Sequence, residues 1–385
     1  MKKKYSRVIF ICDGDAETPD LWSGLPYQLA QALMANGIAI VHKNIHISAF
    51  YRLSWRLLQG FIAKFLNKQT SYSFARSATY GFLQRLRIWL LLNQYKSPNT
   101  FVLICTSMIR IRKFESPVVL VTDWTYEHYI TEISNRSPDF FEKHAIKREY
   151  KAIDSSTLLM TIFPLSAKRI NNKLRKERAI YFGHGVNLYD EKENSNQVDA
   201  INSVTNKLTL LFVGRPKYKN ELQRILNETS VSTWSKINFE IIGMSADDLD
   251  LNPSVPAGAV KFWGFLSKRF ETDRESFYQA LRRADLIVSP NWPWGPFSAI
   301  LEAMYFQTAV ITRPYTEFVE IFGVSIDFGW YLTQDSTEEF EMILLDIAKN
   351  PEKLARAKNR AHEIASKMTW KQVACNLLKE LESLG

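Results

Sequence analysis

Residues 289–312 read SPNWPWGPFSAILEAMYFQTAVIT. The run ahead of them, ALRRADLIVSP (280–290), closes a helical stretch and enters a short apolar strand that ends at Ser289-Pro290. Trp294-Gly295-Pro296 cannot continue that strand, and Phe297 onward has the composition of a helix carrying Glu302. Ala309–Thr312 then reads as the next strand. This is a strand–helix–strand crossover, the unit of a parallel α/β sheet. A loop that opens a helix on small residues aims backbone N–H groups and the positive end of the helix dipole at one point, which suits an anion. Glu302, about one turn in, is spaced to accept hydrogen bonds from hydroxyls beside that anion. Phosphate and sugar hydroxyls together point to a nucleotide or nucleotide-sugar, although an ordinary crossover with a buried Glu has the same spacing.

Upstream, Leu208–Leu222, LTLLFVGRPKYKNEL, repeats the theme. An apolar run ends at Gly214, and Arg215 and Lys219 follow. Glycine at a strand end lets backbone or ligand come close, and the two cations suit a diphosphate, Arg by a forked contact and Lys as a point charge. A solvated basic turn is the alternative reading of KYK.

Together these segments resemble the GT-B-fold glycosyltransferases, most closely the large family 4 group. Gly214, Arg215 and Lys219 match that family's VGR…K element, with the Arg-to-Lys spacing one residue short. FEIIG (to Gly243) and VKFWGFL (around Gly264) look like its next two strands. Gly295, Phe297, Ser298 and Glu302-Ala303-Met304 match its E-x7-E motif, but the first Glu of the pair is replaced by Trp294. The resemblance implies ribose contact by Glu302 and a diphosphate seat made by Arg215, Lys219 and the amides of Phe297–Ala299. It further implies a base pocket near Gly264 and Phe265. The group that meets the donor sugar, and hence the stereochemistry of transfer, is left open by Trp294. Gln307 and Ala309 also depart from the family's A-x-G-x-P-V-I run.

The first half fits the same architecture. RVIFIC (Arg7–Cys12) is a buried-strand run, and LPYQLAQALMANGIAIV reads as helix, Asn-Gly stop and second strand. Ser23-Gly24 at the helix start is similar to the family's glycine-containing first loop. Asp13 and Asp15 follow the first strand, and Asp123 ends the Val-rich run PVVLVTD. Carboxylates at such strand ends are candidates to take the acceptor's proton if the reaction inverts; Asp123 is the preferred one. MTWKQVACNLLKEL (368–381) resembles the helix that crosses back onto the first domain. The expected fold is α/β of GT-B type: two Rossmann-like domains facing across a cleft. The expected divisions are an acceptor-binding domain at 1–195, a nucleotide-sugar-binding domain at 196–365, and a returning helix at 366–385.

Charge is unevenly placed. Between Leu21 and Phe114 there is no Asp or Glu but twelve Lys and Arg; the rest of the chain holds 37 of the 49 basic residues against 40 acidic ones. Within the basic amphipathic segment 50–92, FYRLSWRLLQGFIAKFLNK (50–68) and GFLQRLRIWLLL (81–92) have apolar residues at helical spacing with Arg or Lys beside them. Such helices either pack on a sheet or lie on an anionic membrane surface. No nucleic-acid module is recognisable, so nucleic acid is not an expected partner. Cys12, Cys105 and Cys375 are far apart in sequence and no apolar run is long enough to span a bilayer, which suits a cytoplasmic protein peripheral at the inner membrane. No metal-ligand spacing occurs, and no cofactor or metal is expected; a UDP- or GDP-sugar would enter as substrate. The leading expectation is transfer of a sugar to a hydroxyl of a glycan or lipid-linked acceptor in cell-surface polysaccharide or glycolipid synthesis. A nucleotide-sugar epimerase and a non-catalytic recruiting subunit of the same fold are the alternatives.

Overall fold

The computed structural model describes residues 4–47, 70–95, 97–106, 108–111, 114–189, 207–334 and 336–384. The amphipathic stretch 50–68 lies outside them, and the second, 81–92, lies inside. The chain forms two compact units, Met1–His184 with Trp370–Gly385, and Gly185–Thr369. The divisions therefore fall at 184/185 and 369/370.

The first unit is a parallel sheet of six strands: β1 (Arg7–Cys12), β2 (Ala39–Asn44), β3 (Thr100–Ile104), β4 (Val118–Thr122), β5 (Leu158–Thr161) and β6 (Ala179–Tyr181). Its order is β2-β1-β3-β4-β5-β6. In β1, Val8, Ile9, Phe10 and Ile11 are all buried, so both faces of the sheet are covered and the strand has no reason to alternate with polar residues. Around it stand α1 (Leu25–Ala35), α2 (Ala78–Leu92), α3 (Phe140–Ser155) and α4 (Pro164–Leu174). The Asn-Gly stop works as its chemistry dictates: Asn36 caps α1, and Gly37 takes φ +76, where a side chain would be strained. Ile9, Ile11, Val102, Ile104, Leu120 and Leu159 form the centre of one core, each contributing about 1.5–3 kcal/mol by burial.

The second unit is another six-stranded parallel sheet: β7 (Leu208–Val213), β8 (Ile237–Ile242), β9 (Val260–Gly264), β10 (Leu286–Ser289), β11 (Ala309–Thr312) and β12 (Gly329–Tyr331). Its helices include α5 (Lys219–Glu228), α6 (Glu271–Arg283), α7 (Phe297–Tyr305), α8 (Thr316–Phe322), α9 (Thr337–Lys349) and α10 (Pro351–Lys367). The order β12-β11-β10-β7-β8-β9 reverses direction between β7 and β10, which are hydrogen-bonded neighbours. In open α/β sheets ligands bind outside the carboxyl ends of the strands at such a switch point. The last helix, α11 (Trp370–Ser383), belongs to the first unit and packs on α1, with the Cys375 thiol donating to Asn36 Oδ1 at 3.2 Å.

Candidate functional site

The switch point of the second unit gathers both segments singled out above. β7 runs into Gly214 and exposed Arg215, and β10 runs into the loop 290–296 ahead of α7. Asn291 joins the two loops directly, donating from Nδ2 to the Tyr218 carbonyl at 2.9 Å. At the neighbouring strand ends the glycines are tied side by side. Gly214 N–H donates to the Ile242 carbonyl (3.0 Å), and Gly243 N–H to the Gly264 carbonyl (2.7 Å). Gly243 has φ +95, and a Cβ there would lie 2.5 Å from the Gly214 carbonyl oxygen, so the close approach of β7 and β8 excludes any side chain.

Open space faces the next glycine. Gly264 has φ +67 and nothing within 4 Å of where its Cβ would be. Phe265 beside it is exposed, and the Arg215 guanidinium lies over its ring at 5.7 Å from the centroid. Arg215, Gly264 and Phe265 thus come together at one rim. Lys219 begins α5, where its ammonium donates to the Asp248 carbonyl at 3.1 Å. It is therefore fixed by the backbone beyond β8. Asp248 itself is held below the usual carboxylate range, chiefly by the Ser245 amide and hydroxyl, with Lys219 adding to the effect.

α7 starts as its sequence demands, with Pro296 at the cap. The Phe297 amide donates to the Gly295 carbonyl (2.9 Å), and the Ser298 and Ala299 amides follow in the first turn. The Phe297 side chain is buried and packs against Phe322, so its contribution to a ligand is restricted to backbone. Gly295 is obligatory for space: a Cβ would meet Ser289 Oγ at 2.9 Å and Tyr315 Cε1 at 2.8 Å. Trp294, in the place of the motif's first Glu, is half-buried with its ring centroid 6.0 Å from that of Tyr315.

Glu302 is fully buried on α7 and is not waiting for a partner. Lys268 Nζ donates to its two oxygens at 2.7 and 2.6 Å, and Asn187 Nδ2 donates to Oε1 at 2.9 Å. A ribose at Glu302 would have to share the carboxylate with Lys268. Neither Lys268 nor Asn187 was among the expected site residues. Lys268 carried a readable signal, since it follows Gly264 much as Lys219 follows Gly214. Its pairing across 34 residues did not.

In the first unit the aspartates have different surroundings. Asp15 is exposed and turns the chain, accepting from the Glu17 amide at 3.0 Å. Asp13 is saturated: His46 Nδ1 lies 2.8 Å from Oδ1, while Tyr80 hydroxyl and Gln84 Nε2 donate to Oδ2. Such a carboxylate fixes the side chains around it. Asp123 stands at the end of β4. Burial pushes its carboxyl above the ordinary aspartate range, against hydrogen bonds from the Trp124 amide and the Trp22 side chain and the nearby Arg76 charge. Trp22 reaches it from a loop in which Trp22, Ser23 and Gly24 all have positive φ, ending in Gly24 at the cap of α1. Each of the two non-glycine residues costs about 1–3 kcal/mol there.

The fold and the switch-point site define the class, that of the GT-B α/β proteins. Residues 191–350 match the family described as glycosyl transferases group 1. The fold is shared with solved GT-B enzymes at low identity. WaaG, a glycosyltransferase involved in lipopolysaccharide biosynthesis, is 12% identical with a TM-score of 0.64, over 97% of this chain and 99% of that one. Anabaena HepE, solved with UDP and glucose, is 15% identical with a TM-score of 0.62, over 98% and 100%. TarM is 15% identical with a TM-score of 0.58, over 77% of this chain; the match spans 57% of the length of TarM. No curated protein sequence matches the chain.

Proposed function

We propose that this chain moves a sugar from a nucleotide-diphosphate donor to a hydroxyl of a glycan or lipid-linked acceptor. The observation that carries the reading is the second unit's switch point, where Arg215, Lys219, three glycines and the head of α7 converge on the carboxyl ends of adjoining strands. In the reaction the bond from the anomeric carbon to the phosphate oxygen breaks, and a bond to the acceptor oxygen forms. Charge grows on the departing diphosphate. In this reading Arg215 and the α7 amides stabilise it, usually the largest catalytic contribution such a site makes. The acceptor's proton needs a receiver if the reaction inverts. Asp123, whose carboxyl burial makes a weaker acid and so a stronger base, is the group in the first unit suited to receive it. HepE is solved with UDP and glucose, which makes UDP the first nucleotide to try.

The acceptor is lipid-borne in this reading, on account of α2. One stripe of that helix, Tyr80, Gln84, Ile88 and Leu92, is buried. A second, Phe82, Leu86, Trp89 and Leu90, is exposed, at the i, i+4, i+7, i+8 spacing of one helix face. Packing on the sheet accounts for the first stripe only. The second lies in the part of the chain that has no acidic residue, the combination that suits an anionic bilayer. Among the described residues no helix is long and apolar enough to cross a membrane. Co-sedimentation with phosphatidylglycerol vesicles, compared with Phe82→Ser/Trp89→Ser, tests this: equal binding by both proteins removes α2 from the contact.

The donor reading is tested by the melting temperature with UDP, GDP, dTDP, ADP and CMP, on wild type, Arg215→Ala and Glu302→Gln. A ligand at a hundredfold its Kd stabilises by about 2.7 kcal/mol, a shift of a few degrees. One nucleotide that shifts wild type and neither variant supports the site. No shift with any nucleotide moves the balance to a non-catalytic recruiting role.

A further inference from the structure

Beside the motif position that lost its Glu, three buried polar atoms have no hydrogen-bond partner among the described residues: Ser289 Oγ, Asn291 Oδ1 and the Tyr315 hydroxyl. Ser289 and Tyr315 are 0% exposed and Asn291 2%. Natural interiors satisfy nearly all such atoms, because each one left bare forfeits the hydrogen bonds it had in water. Three in one neighbourhood is therefore a signal for something that fills them. They do share a neighbourhood. The point where a Gly295 Cβ would stand is 2.9 Å from Ser289 Oγ and 3.3 Å from Tyr315 Cζ. Asn291 bonds the carbonyl of Tyr218, whose phenol is itself close enough to Tyr315 to act on its charge. Burial pushes the Tyr315 phenol far above its ordinary range, so it is a neutral hydroxyl able both to donate and to accept. Ser289 can likewise do either, whereas Asn291 Oδ1 can only accept. None of the three carries a charge, and the charge that acts on Tyr315 is negative, the buried Glu317 carboxylate. A neutral set of donors and acceptors fits alcohol groups rather than a phosphate or a carboxylate.

We infer that Ser289, Asn291 and Tyr315 form the seat that reads the hydroxyls of the donor's transferred sugar, in place of the carboxylate that Trp294 replaces. The inference deepens the nucleotide-sugar reading above and rests on it. The seat lies at the carboxyl end of β10, beside Gly295 and the loop that enters α7, the side on which the donor's phosphates are placed. Trp294 borders it, its half-buried indole 6.0 Å from the Tyr315 ring. These three are specificity-determining residues under this assignment, since they touch the sugar and not the departing diphosphate.

The experiment is calorimetric titration of wild type, Tyr315→Phe and Ser289→Ala with UDP beside UDP-glucose, UDP-galactose and UDP-N-acetylglucosamine, and with GDP beside GDP-mannose. Both substitutions remove an unpartnered hydroxyl with little change of shape, so the ligand-free variants are expected to melt at or above the wild-type temperature. The expected result is that one sugar nucleotide binds wild type at least tenfold more tightly than its own diphosphate. Both variants lose that increment and keep the affinity for the diphosphate. An increment that survives in both variants overturns the seat and leaves the nucleotide site standing, as does a wild type that binds diphosphate with no gain from any sugar. A wild type that binds neither diphosphate overturns the donor reading itself, and the seat with it.

Discussion

Replacing Lys268 by methionine isolates the interaction that holds Glu302. The ammonium sits 2.6 and 2.7 Å from the two carboxylate oxygens, and the Glu302 side chain is 1% exposed. At an effective dielectric near 20, opposite charges so close attract by about 6 kcal/mol, much of it offset by stripping water from both groups. Removing the cation alone leaves the carboxylate's desolvation uncompensated, which costs about 3–5 kcal/mol. Asn187 still donates to Oε1, and this places the expected loss in the lower half of that range. Methionine matches the length of the lysine stem but also gives up the ammonium's place over the Phe277 ring, 4.2 Å from its centroid, which adds about 0.5–1 kcal/mol to the loss. Lys268→Met/Glu302→Gln removes both charges and should lie within about 1 kcal/mol of wild type. Hydrogen-exchange mass spectrometry in rising urea reads the two compact units separately, which a single fluorescence curve does not. With a slope of about 2 kcal/mol per molar urea, the single variant shifts the midpoint of peptides from Gly185–Thr369 down by about 1.5–2 M. A shift below about 0.3 M, or a double variant no more stable than the single one, refutes a buried pair at this position.

Arg215→Ala should lower kcat/KM by at least about a hundredfold with an unchanged melting temperature, because it removes charge stabilisation from an exposed side chain; near wild-type turnover in a coupled diphosphate-release assay would remove Arg215 from the donor site. If Asp123 takes the acceptor's proton, the acid limb of the kcat/KM profile titrates above the ordinary aspartate value of 3.8, since burial raises that group, and Asp123→Asn abolishes the limb. A limb that persists in the Asn variant assigns the proton elsewhere. The third concerns stability in acid. Burial pushes the Glu142 carboxyl up, but the bidentate Arg136 guanidinium and the Asp139 and Ser71 amides pull it down further, from 4.5 to about 2. A depressed carboxyl contributes stability that is complete above the unfolded value and is lost as pH falls from about 4.5 towards about 2; the depression corresponds to about 3 kcal/mol. Denaturation of Arg136→Met at pH 7 and pH 3 checks this: wild type loses more than the variant does over that interval, and equal losses contradict the assignment.

Sequence reading located strands well where burial is two-sided. Arg7–Cys12 is continuous apolar sequence because both of its faces are covered, and its bounds are those of β1. The α7 segment was legible for the same local reasons, a Gly-Pro loop and a following helical run. What stayed hidden depends on partners far along the chain. Nothing near Asp13 indicates that His46, Tyr80 and Gln84 consume its oxygens, nothing near Glu302 announces Lys268 and Asn187, and the three bare polar atoms near Gly295 are an absence that only coordinates reveal. The second, exposed stripe of α2 was half legible. Helical spacing exposed it in the sequence, but which of two apolar faces the sheet takes is a property of packing.

That last feature governs how the protein behaves on the bench. A helix greasy on two sides keeps its charge on the narrow flanks that carry Arg85 and Arg87, and shows water an apolar face between them. The expected consequence is that, kept away from a surface, copies of the chain associate through Phe82 and Trp89, and apparent size climbs with concentration. Mild detergent or lipid, by covering that same patch, returns the single chain.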